Sequence, residues 1–256
     1  MSKIKKSHLF IFLVIIFVLS GVFSFFEYLY HHDANRYESK QWLGFFDHRL
    51  NFRDVGQSYN ECLGQRIFQE NKIFRSNKYF SGWSCEKIKS PNKIYTFNYD
   101  PHNPHVYYCF ENNNSKKIGI RFNEHSLIKD TDFVSNWKNL EVKSALCRYF
   151  ESNLNDLIQN QKFLYHCDQG RDRTGFYSVM LMLSLAEQKM KVTSEIQKAA
   201  LCDYSKSTRL PKNAEAKMTQ FIEETEQKGG FSKFLMENCH LDPKLFSLAA
   251  ESFVVK

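Results

Sequence analysis

The sequence predicts an α/β domain with a central, mostly parallel sheet flanked by helices. Short runs rich in β-branched and aromatic residues alternate with longer runs of helical periodicity, and this pattern is typical of the class. Hydrophobic residues make up 43% and charged residues 25% of the 256-residue chain, which has ten glycines and five prolines. This composition excludes a disordered or collagen-like chain and leaves little material for a long linker. We therefore expect one compact domain over residues 51–256.

An apolar segment precedes this domain. Leu9–Phe26 carries no charged residue and follows a cluster of lysines, so residues 1–27 are predicted to form an apolar helix that serves as a signal-anchor or a cleaved signal peptide. By the positive-inside rule the lysines stay in the cytoplasm, and the rest of the chain is membrane-anchored or exported, periplasmic or secreted in a bacterium. A buried core helix is the alternative. Residues 28–50 are predicted to be a linker or a first helix.

Strands and helices are predicted in sequence along the domain. Strands are expected at Lys93–Asn98, Ile118–Phe122 and Phe163–His166, with turns over 100–105 and at Glu111–Ser115. Helices are expected from Asp132 to Ile158, then at Thr174–Met190, Ser194–Lys206, Asn213–Lys228 and Gly230–Val255, the last broken near Leu241–Pro243. Thr174–Met190 is apolar on almost every side, which predicts a helix buried in the middle of the domain.

Charge and cysteine content limit the partners and the compartment. Lys and Arg total 35 against 28 Asp and Glu, a net charge of +7, which favours anionic partners. The basic residues are scattered, so nucleic acid is not predicted as a partner. Six of the seven cysteines can pair and leave one free thiol, which fits an exported domain, although buried unpaired thiols are the alternative. No C-x-x-C or H-x-x-x-H spacing occurs, so no metal site is predicted.

The clearest chemical signal lies where the strand Phe163–His166 meets the following helix. A cysteine that ends a strand, an arginine soon after it and a helix start place a thiol below backbone N–H groups at the positive end of a buried helix. Such a loop binds a tetrahedral dianion. Gly170 lets the backbone turn, and the fork of Arg173 can hold two phosphoryl oxygens. The same field stabilises a thiolate, so Cys167 is predicted to be a nucleophile near neutral pH.

This loop resembles the cysteine-dependent protein tyrosine phosphatase superfamily. Its signature H-C-x-x-G-x-x-R-[ST] is met in full by His166, Cys167, Gly170, Arg173 and Thr174. Asn51–Gly56, Ile73–Ser76 and Gly229–Leu235 are similar to segments of the bacterial tyrosine-phosphatase-like branch, which includes enzymes of triple specificity. The loop departs from that branch at Arg171, where lysine is common. The resemblance implies a tyrosine-phosphatase-like catalytic domain over residues 51–256.

The resemblance also implies roles for the loop residues. Phosphate monoesters are expected to be hydrolysed through a cysteinyl-phosphate on Cys167, without a metal or cofactor. Thr174 is expected to hydrogen-bond the sulfur and help it leave, and His166 to support the loop structurally rather than to transfer protons. The phosphate-binding residues are expected to be Asp168, Gln169, Gly170, Arg171 and Arg173.

The general acid is expected to be a carboxylate in the loop or before it. Asp172 is the preferred general acid, because the loop aspartate does this work in the triple-specificity branch. The alternatives are Asp132, Asp130 and Glu124. Arg53 and Asp54 are expected to form a structural Arg–Asp pair that supports the loop, and direct contact with substrate is the alternative.

The expected substrates are phosphorylated proteins or inositol lipids. Protein phosphotyrosine, with single or dual specificity, and phosphoinositides are preferred. Arg171 would suit a second phosphate on the substrate, whereas Asp168 adds an opposing negative charge. The alternatives are an inositol-polyphosphate phosphatase of the phytase-like type and an inactive phosphate-binding module.

Overall fold

The computed structural model describes residues 14–22, 51–98, 106–120, 140–207, 210 and 212–255. In its N-terminal part, residues 14–22 form helix α1, whose apolar side chains are exposed. The apolar helix predicted over residues 1–27 is not supported: only residues 14–22 of it are described, and its other residues lie outside the described ranges. Among the described residues no helix is both long enough and apolar enough to span a membrane.

A four-stranded sheet forms the centre of the structure. Its strands are β1 (Arg53–Asp54), β2 (Ile73–Ser76), β3 (Lys93–Thr96) and β6 (Phe163–His166), in the order β1-β2-β6-β3. Strand β6 pairs in parallel with both β2 and β3, and β1 is antiparallel to β2. The carboxyl ends of β2, β3 and β6 therefore meet at one edge, because Ser76 and Thr96 both lie opposite His166.

A separate two-stranded sheet lies beside it. Strands β4 (Tyr108–Phe110) and β5 (Lys116–Ile118) are antiparallel and enclose the predicted turn at Glu111–Ser115. Of the strand predicted at Ile118–Phe122, Ile118 ends β5, Ile120 forms an isolated bridge with Tyr95, and residues 121–122 lie outside the described ranges. Strand β5 begins at Lys116, before the predicted start, and its hairpin partner β4 was not predicted.

Seven further helices follow α1 in the described part of the chain. They are α2 (Val55–Leu63), α3 (Leu140–Ile158), α4 (Asp172–Glu187), α5 (Ser194–Ser205), α6 (Ala214–Gln227), α7 (Phe231–Cys239) and α8 (Pro243–Phe253). The predicted helices from α4 to α8 are confirmed, with ends that shift by up to a few residues. Helix α2 was not predicted, and the predicted elements within 23–50, 99–105 and 121–139 lie outside the described residues.

The two faces of the central sheet bury different apolar clusters. Along each strand the side chains alternate between the faces: Phe163 and Tyr165 pack into the main core with α4, whereas Leu164 packs into a smaller cluster on the opposite face. Helix α4 is buried from Thr174 to Ala186, which confirms the prediction of a central buried helix. The strand-to-helix loop between β6 and α4 is thus fixed by the core on both of its flanks.

Three disulfides join the described elements. They link Cys62 to Cys202, Cys85 to Cys109, and Cys147 to Cys239. Cys167 is buried and free. Because all seven cysteines lie within the described residues, the expectation of six paired cysteines and one free thiol is confirmed.

Candidate active site

The loop of residues 167–171 joins the middle strand β6 to the first turn of α4. Cys167 directly follows His166 and is 2% exposed. Arg171 precedes the helix, and its side chain makes no capping hydrogen bond to it. The free thiol therefore lies at the carboxyl edge of the sheet, next to the N-terminal end of a buried helix whose first amide groups have no side-chain cap.

Donors from outside the loop hold its backbone carbonyls. Lys78 N donates to the carbonyl of Asp168 over 3.4 Å, and Asn51 Nδ2 donates to the carbonyl of Gln169 over 2.6 Å. Arg75 Nη2 donates to the carbonyls of Gly170 over 3.0 Å and Arg171 over 3.3 Å. In a trans peptide the N–H of the next residue points opposite to the carbonyl, and the chain has no cis peptide bond among the described residues. The amide groups that follow these carbonyls thus point away from the donors and toward the inner side of the loop, an arrangement typical of anion-binding nests.

Gly170 allows this close packing. Its φ is +65°, and a Cβ atom there would lie 2.6 Å from backbone atoms of Ser76 and Asn77. A larger residue would both strain the backbone and push the loop away from the end of β2.

Arg173 belongs to the first turn of α4 and lies at the same sheet edge. Its Nη1 donates to the carbonyl of Phe97 over 2.7 Å, and Phe97 N donates to the carbonyl of His166 over 2.8 Å. These bonds place the Arg173 guanidinium beside the residue that precedes Cys167.

His166 is buried as a neutral side chain. Its Nε2 lies 2.9 Å from Thr96 Oγ1, and the rings of Phe80 and Tyr107 contact it edge-on. Burial, aided by the nearby positive charge of Arg173, lowers the pKa of His166 from 6.5 to about 3. A side chain that stays neutral across the physiological range and is enclosed in this way is suited to fixing the end of β6 rather than to carrying protons.

The Thr174 hydroxyl is fully buried and has no hydrogen-bond partner among the described residues. The expected bond to the Cys167 sulfur is therefore not formed in this structure.

Asp172 occupies the first position of α4. Its Oδ2 accepts from Arg171 Nε over 2.7 Å, while its Oδ1 is buried without a partner in the described part of the chain. The side chain is 19% exposed, so this carboxylate can reach the solvent side of the loop. The alternative acids Asp130, Asp132 and Glu124 all lie outside the described residues.

The exposed rim of the loop carries opposed charges in contact. Lys78 Nζ lies 2.8 Å from Asp168 Oδ1, and Lys78 follows the end of β2. The negative charge of Asp168, expected to oppose anionic substrates, is thus balanced by a lysine that the sequence did not connect to it. Arg171 is balanced in the same way by Asp172.

The expected structural pair of Arg53 with Asp54 is wrong. Adjacent residues of a strand point to opposite sides. Arg53 turns to Asp203, with its Nε 2.6 Å from Oδ1, whereas Asp54 caps α2 by accepting from Gln57 N over 3.1 Å. Asp54 also accepts from the backbone N–H of Asn71.

Asp203 is a buried residue of α5 that sequence reasoning missed. It is fully buried between Arg53 and Arg75. The Nη1 atom of Arg75 lies 2.8 Å from Asp203 Oδ2. Burial alone would raise the pKa of Asp203, but the two guanidinium groups outweigh it and hold that pKa well below its usual range. One signal was available in the sequence. Asp203 shares the core-facing stripe of α5, where its neighbours are Ile196, Ala199 and Ala200.

Comparison with known proteins places the chain in a family. The tyrosine phosphatase family matches residues 86–252, and the chain belongs to this family. The match confirms the resemblance to the cysteine-dependent tyrosine phosphatase superfamily. No curated protein matches the chain. The matched region contains the thiol, the loop and helices α3 to α7, while Asn51, Arg53 and Arg75 lie before it. Among the described residues no group of three or more His, Cys, Asp or Glu is placed to hold a metal ion.

Proposed function

We propose that this protein is a phosphatase that hydrolyses phosphate monoesters through a cysteinyl-phosphate on Cys167. One observation carries the proposal. A free thiol begins a loop whose next carbonyls are bonded outward, so that the amide groups that follow these carbonyls point to the inner side of the loop, where a phosphoryl group would bind. Membership of the tyrosine phosphatase family supports the same chemistry. Residues 51–256 would form the catalytic domain, because Asn51 already contributes to the loop.

The reaction takes place in two displacements. The Cys167 thiolate attacks phosphorus, the S–P bond forms, and the P–O bond to the alcohol or phenol breaks. Arg173 and the loop amides bind the phosphoryl oxygens, where negative charge concentrates in the transition state. Water then attacks the same phosphorus and the S–P bond breaks. The hydroxyl of Thr174 would hydrogen-bond the departing sulfur in this step.

Asp172 serves as general acid for the leaving oxygen in this scheme. To deliver the proton, the carboxyl group would turn its Oδ1, which Arg171 does not hold, toward the leaving oxygen. Asp172→Asn should reduce kcat for phenyl phosphate by about a hundredfold. It should reduce kcat much less for p-nitrophenyl phosphate, whose leaving group needs no proton. An equal loss for both substrates would exclude this role and favour an acid from outside the described residues.

Protein phosphotyrosine is the proposed substrate, and phosphoinositide is the alternative. The Lys78–Asp168 and Arg171–Asp172 pairs make the rim of the loop charged but balanced, which suits a phosphate set in a polar peptide. Rates of phosphate release should be compared for phosphotyrosine peptides, phosphoserine peptides, phosphoinositides and inositol hexakisphosphate. A preference for inositol hexakisphosphate would instead assign the phytase-like activity.

The compartment is proposed from the disulfides. Three disulfides joining distant parts of the chain are typical of oxidising compartments, so the domain acts outside the cytoplasm. The apolar segment before it would deliver the chain there as a signal-anchor or signal peptide.

The decisive experiment compares the full-length protein with Cys167→Ser. The wild type should release phosphate from p-nitrophenyl phosphate and carry a covalent radiolabel when its reaction with radiolabelled substrate is quenched with denaturant. Cys167→Ser should do neither, yet should still bind inorganic phosphate, since the loop is intact. If the wild type binds phosphate but releases none from any substrate in the panel, the protein is a phosphate-binding module.

A further inference from the structure

We infer that Asp203 is a positioning residue for the phosphate loop: through Arg75 and Arg53 it holds the loop carbonyls outward and so sets the affinity of the loop for phosphate. This inference rests on the proposed function for its biological meaning. The geometry on which it stands does not depend on turnover.

The first route runs through Arg75, a fully buried side chain of β2. Its Nη1 bonds to Asp203 Oδ2 over 2.8 Å, while its Nη2 donates to the carbonyls of Gly170 over 3.0 Å and Arg171 over 3.3 Å. A planar guanidinium fixed at one edge has little freedom at the other. Asp203 therefore determines where the two loop carbonyls can be held.

The second route runs through Arg53. Its Nε bonds to Asp203 Oδ1 over 2.6 Å, its Nη2 donates to the Asp203 carbonyl over 2.6 Å, and its Nη1 lies 3.5 Å from the Asn51 carbonyl. Asn51 Nδ2 then donates to the Gln169 carbonyl over 2.6 Å. Both routes start at one carboxylate and end on adjacent carbonyls of the loop.

Removing the negative charge of Asp203 should disturb the loop more than the loss of an uncharged buried side chain would. Without Asp203 the two guanidinium groups would lie close together in a buried site with no counter-charge, which is strongly unfavourable. They would separate or draw in water. Because Arg75 also holds the loop, its displacement would free the carbonyls of Gly170 and Arg171, and the following amides would lose their inward direction.

A second buried carboxylate provides a matched control. Asp156 of α3 is fully buried and accepts from Lys93 Nζ and Tyr95 Oη, each over 2.5 Å. Lys93 begins β3, whereas the loop lies at the carboxyl end of that strand. Asp156→Asn thus removes a buried charge without touching the loop.

The experiment measures phosphate affinity and stability separately in the full-length protein. Asp203→Asn and Asp156→Asn are both expected to lower Tm. Only Asp203→Asn should weaken inorganic phosphate binding in isothermal titration calorimetry, by about tenfold, and raise KM for p-nitrophenyl phosphate by a similar factor. Unchanged phosphate binding in Asp203→Asn, or an equal change in both variants, would overturn the inference.

A conservative variant covers the case in which Asp203→Asn does not fold. Asp203→Glu keeps the buried charge but moves it by one methylene group, so Arg75 must shift while the pair stays formed. Phosphate binding should weaken several-fold with little loss of Tm, and unchanged binding would again overturn the inference. If the wild type binds phosphate but shows no turnover, the proposed function fails and these binding measurements remain decisive.

Discussion

The Nη1 atom of Arg173 lies 2.7 Å from the backbone carbonyl of Phe97. This bond ties the first turn of α4 to the end of β3, so the guanidinium is fixed before any ligand arrives. A fixed donor costs little reorganisation when charge develops on a phosphoryl group. The remaining N–H groups of Arg173 are thus pre-oriented at the edge of the sheet where the loop lies.

Replacing Arg173 by lysine should remove this arrangement while keeping the charge. A lysine has no planar fork, so it cannot bond to Phe97 and hold two phosphoryl oxygens together. We expect kcat for p-nitrophenyl phosphate to fall by about a hundredfold or more, with Tm nearly unchanged. Arg66→Lys, on an exposed arginine outside the loop, is the control and should keep full activity. An Arg173→Lys enzyme with more than a tenth of wild-type kcat would contradict this role.

The pairing of the other cysteines predicts how activity depends on reductant. Six cysteines are joined in disulfides and Cys167 is free, so the nucleophile has no partner thiol within the chain. Purified wild-type protein should therefore release phosphate at the same initial rate with and without dithiothreitol. Activity that appears only after reduction would mean that Cys167 is oxidised in the native protein.

The Cys62–Cys202 disulfide should contribute more stability than Cys85–Cys109. The first closes a sequence separation of 140 residues and the second one of 24, a difference worth about 1.5 kcal/mol in the entropy of the unfolded chain. The double Cys→Ser variant of each pair should be compared by urea unfolding. The larger loss of stability is expected for the Cys62–Cys202 pair, because this disulfide also ties α5 to α2 at the residue next to Asp203. Equal losses would show that strain or residual structure, rather than loop closure, sets the effect.

Sequence patterns predicted the elements whose signal is local. Strand β6 and helix α4 were located because a buried strand followed by an all-apolar helix is visible in consecutive residues. The anion loop between them followed from the order of Cys167, Gly170 and Arg173. The order of these residues is contained in a short stretch of chain and is therefore visible in the sequence, whereas the distant groups that hold the loop are not.

Long-range pairing was not visible in the same way. Arg53 was assigned to its neighbour Asp54, although its partner Asp203 lies 150 residues away. Two guanidinium groups that share one buried carboxylate depend on α5 packing beside β1 and β2, and periodicity within one segment does not report that contact. The hairpin of β4 and β5 was missed for a related reason, since strands this short are defined mainly by each other.

Gly170 and Gly64 offer a test that separates backbone strain from crowding. Both have positive φ, +65° and +67°, but a Cβ atom at Gly64 would meet nothing within 4 Å, whereas at Gly170 it would lie 2.6 Å from the backbone of Ser76 and Asn77. Alanine should cost about 1 kcal/mol of stability at either position through strain. Only Gly170→Ala should also weaken phosphate binding, because its methyl group displaces the loop. If both variants bind phosphate like the wild type, the loop tolerates this displacement.

The buried histidine predicts how stability changes with pH. The pKa of His166 is lowered from 6.5 to about 3 in the folded protein, so between these values the unfolded chain binds a proton that the folded chain does not. The contribution of neutral His166 is therefore complete above pH 6.5. It decreases as the pH falls toward 3, by about 1.4 kcal/mol per pH unit.

The His166→Gln variant isolates this contribution. Glutamine can still bond to Thr96 but does not titrate, and the carboxylates titrate alike in both proteins and cancel in the comparison. The free energy of unfolding, measured by urea denaturation from pH 7 to pH 4, should fall more steeply for the wild type than for the variant. Parallel curves would mean that His166 is protonated in the folded state, and its enclosure by Phe80 and Tyr107 would then have to open at low pH.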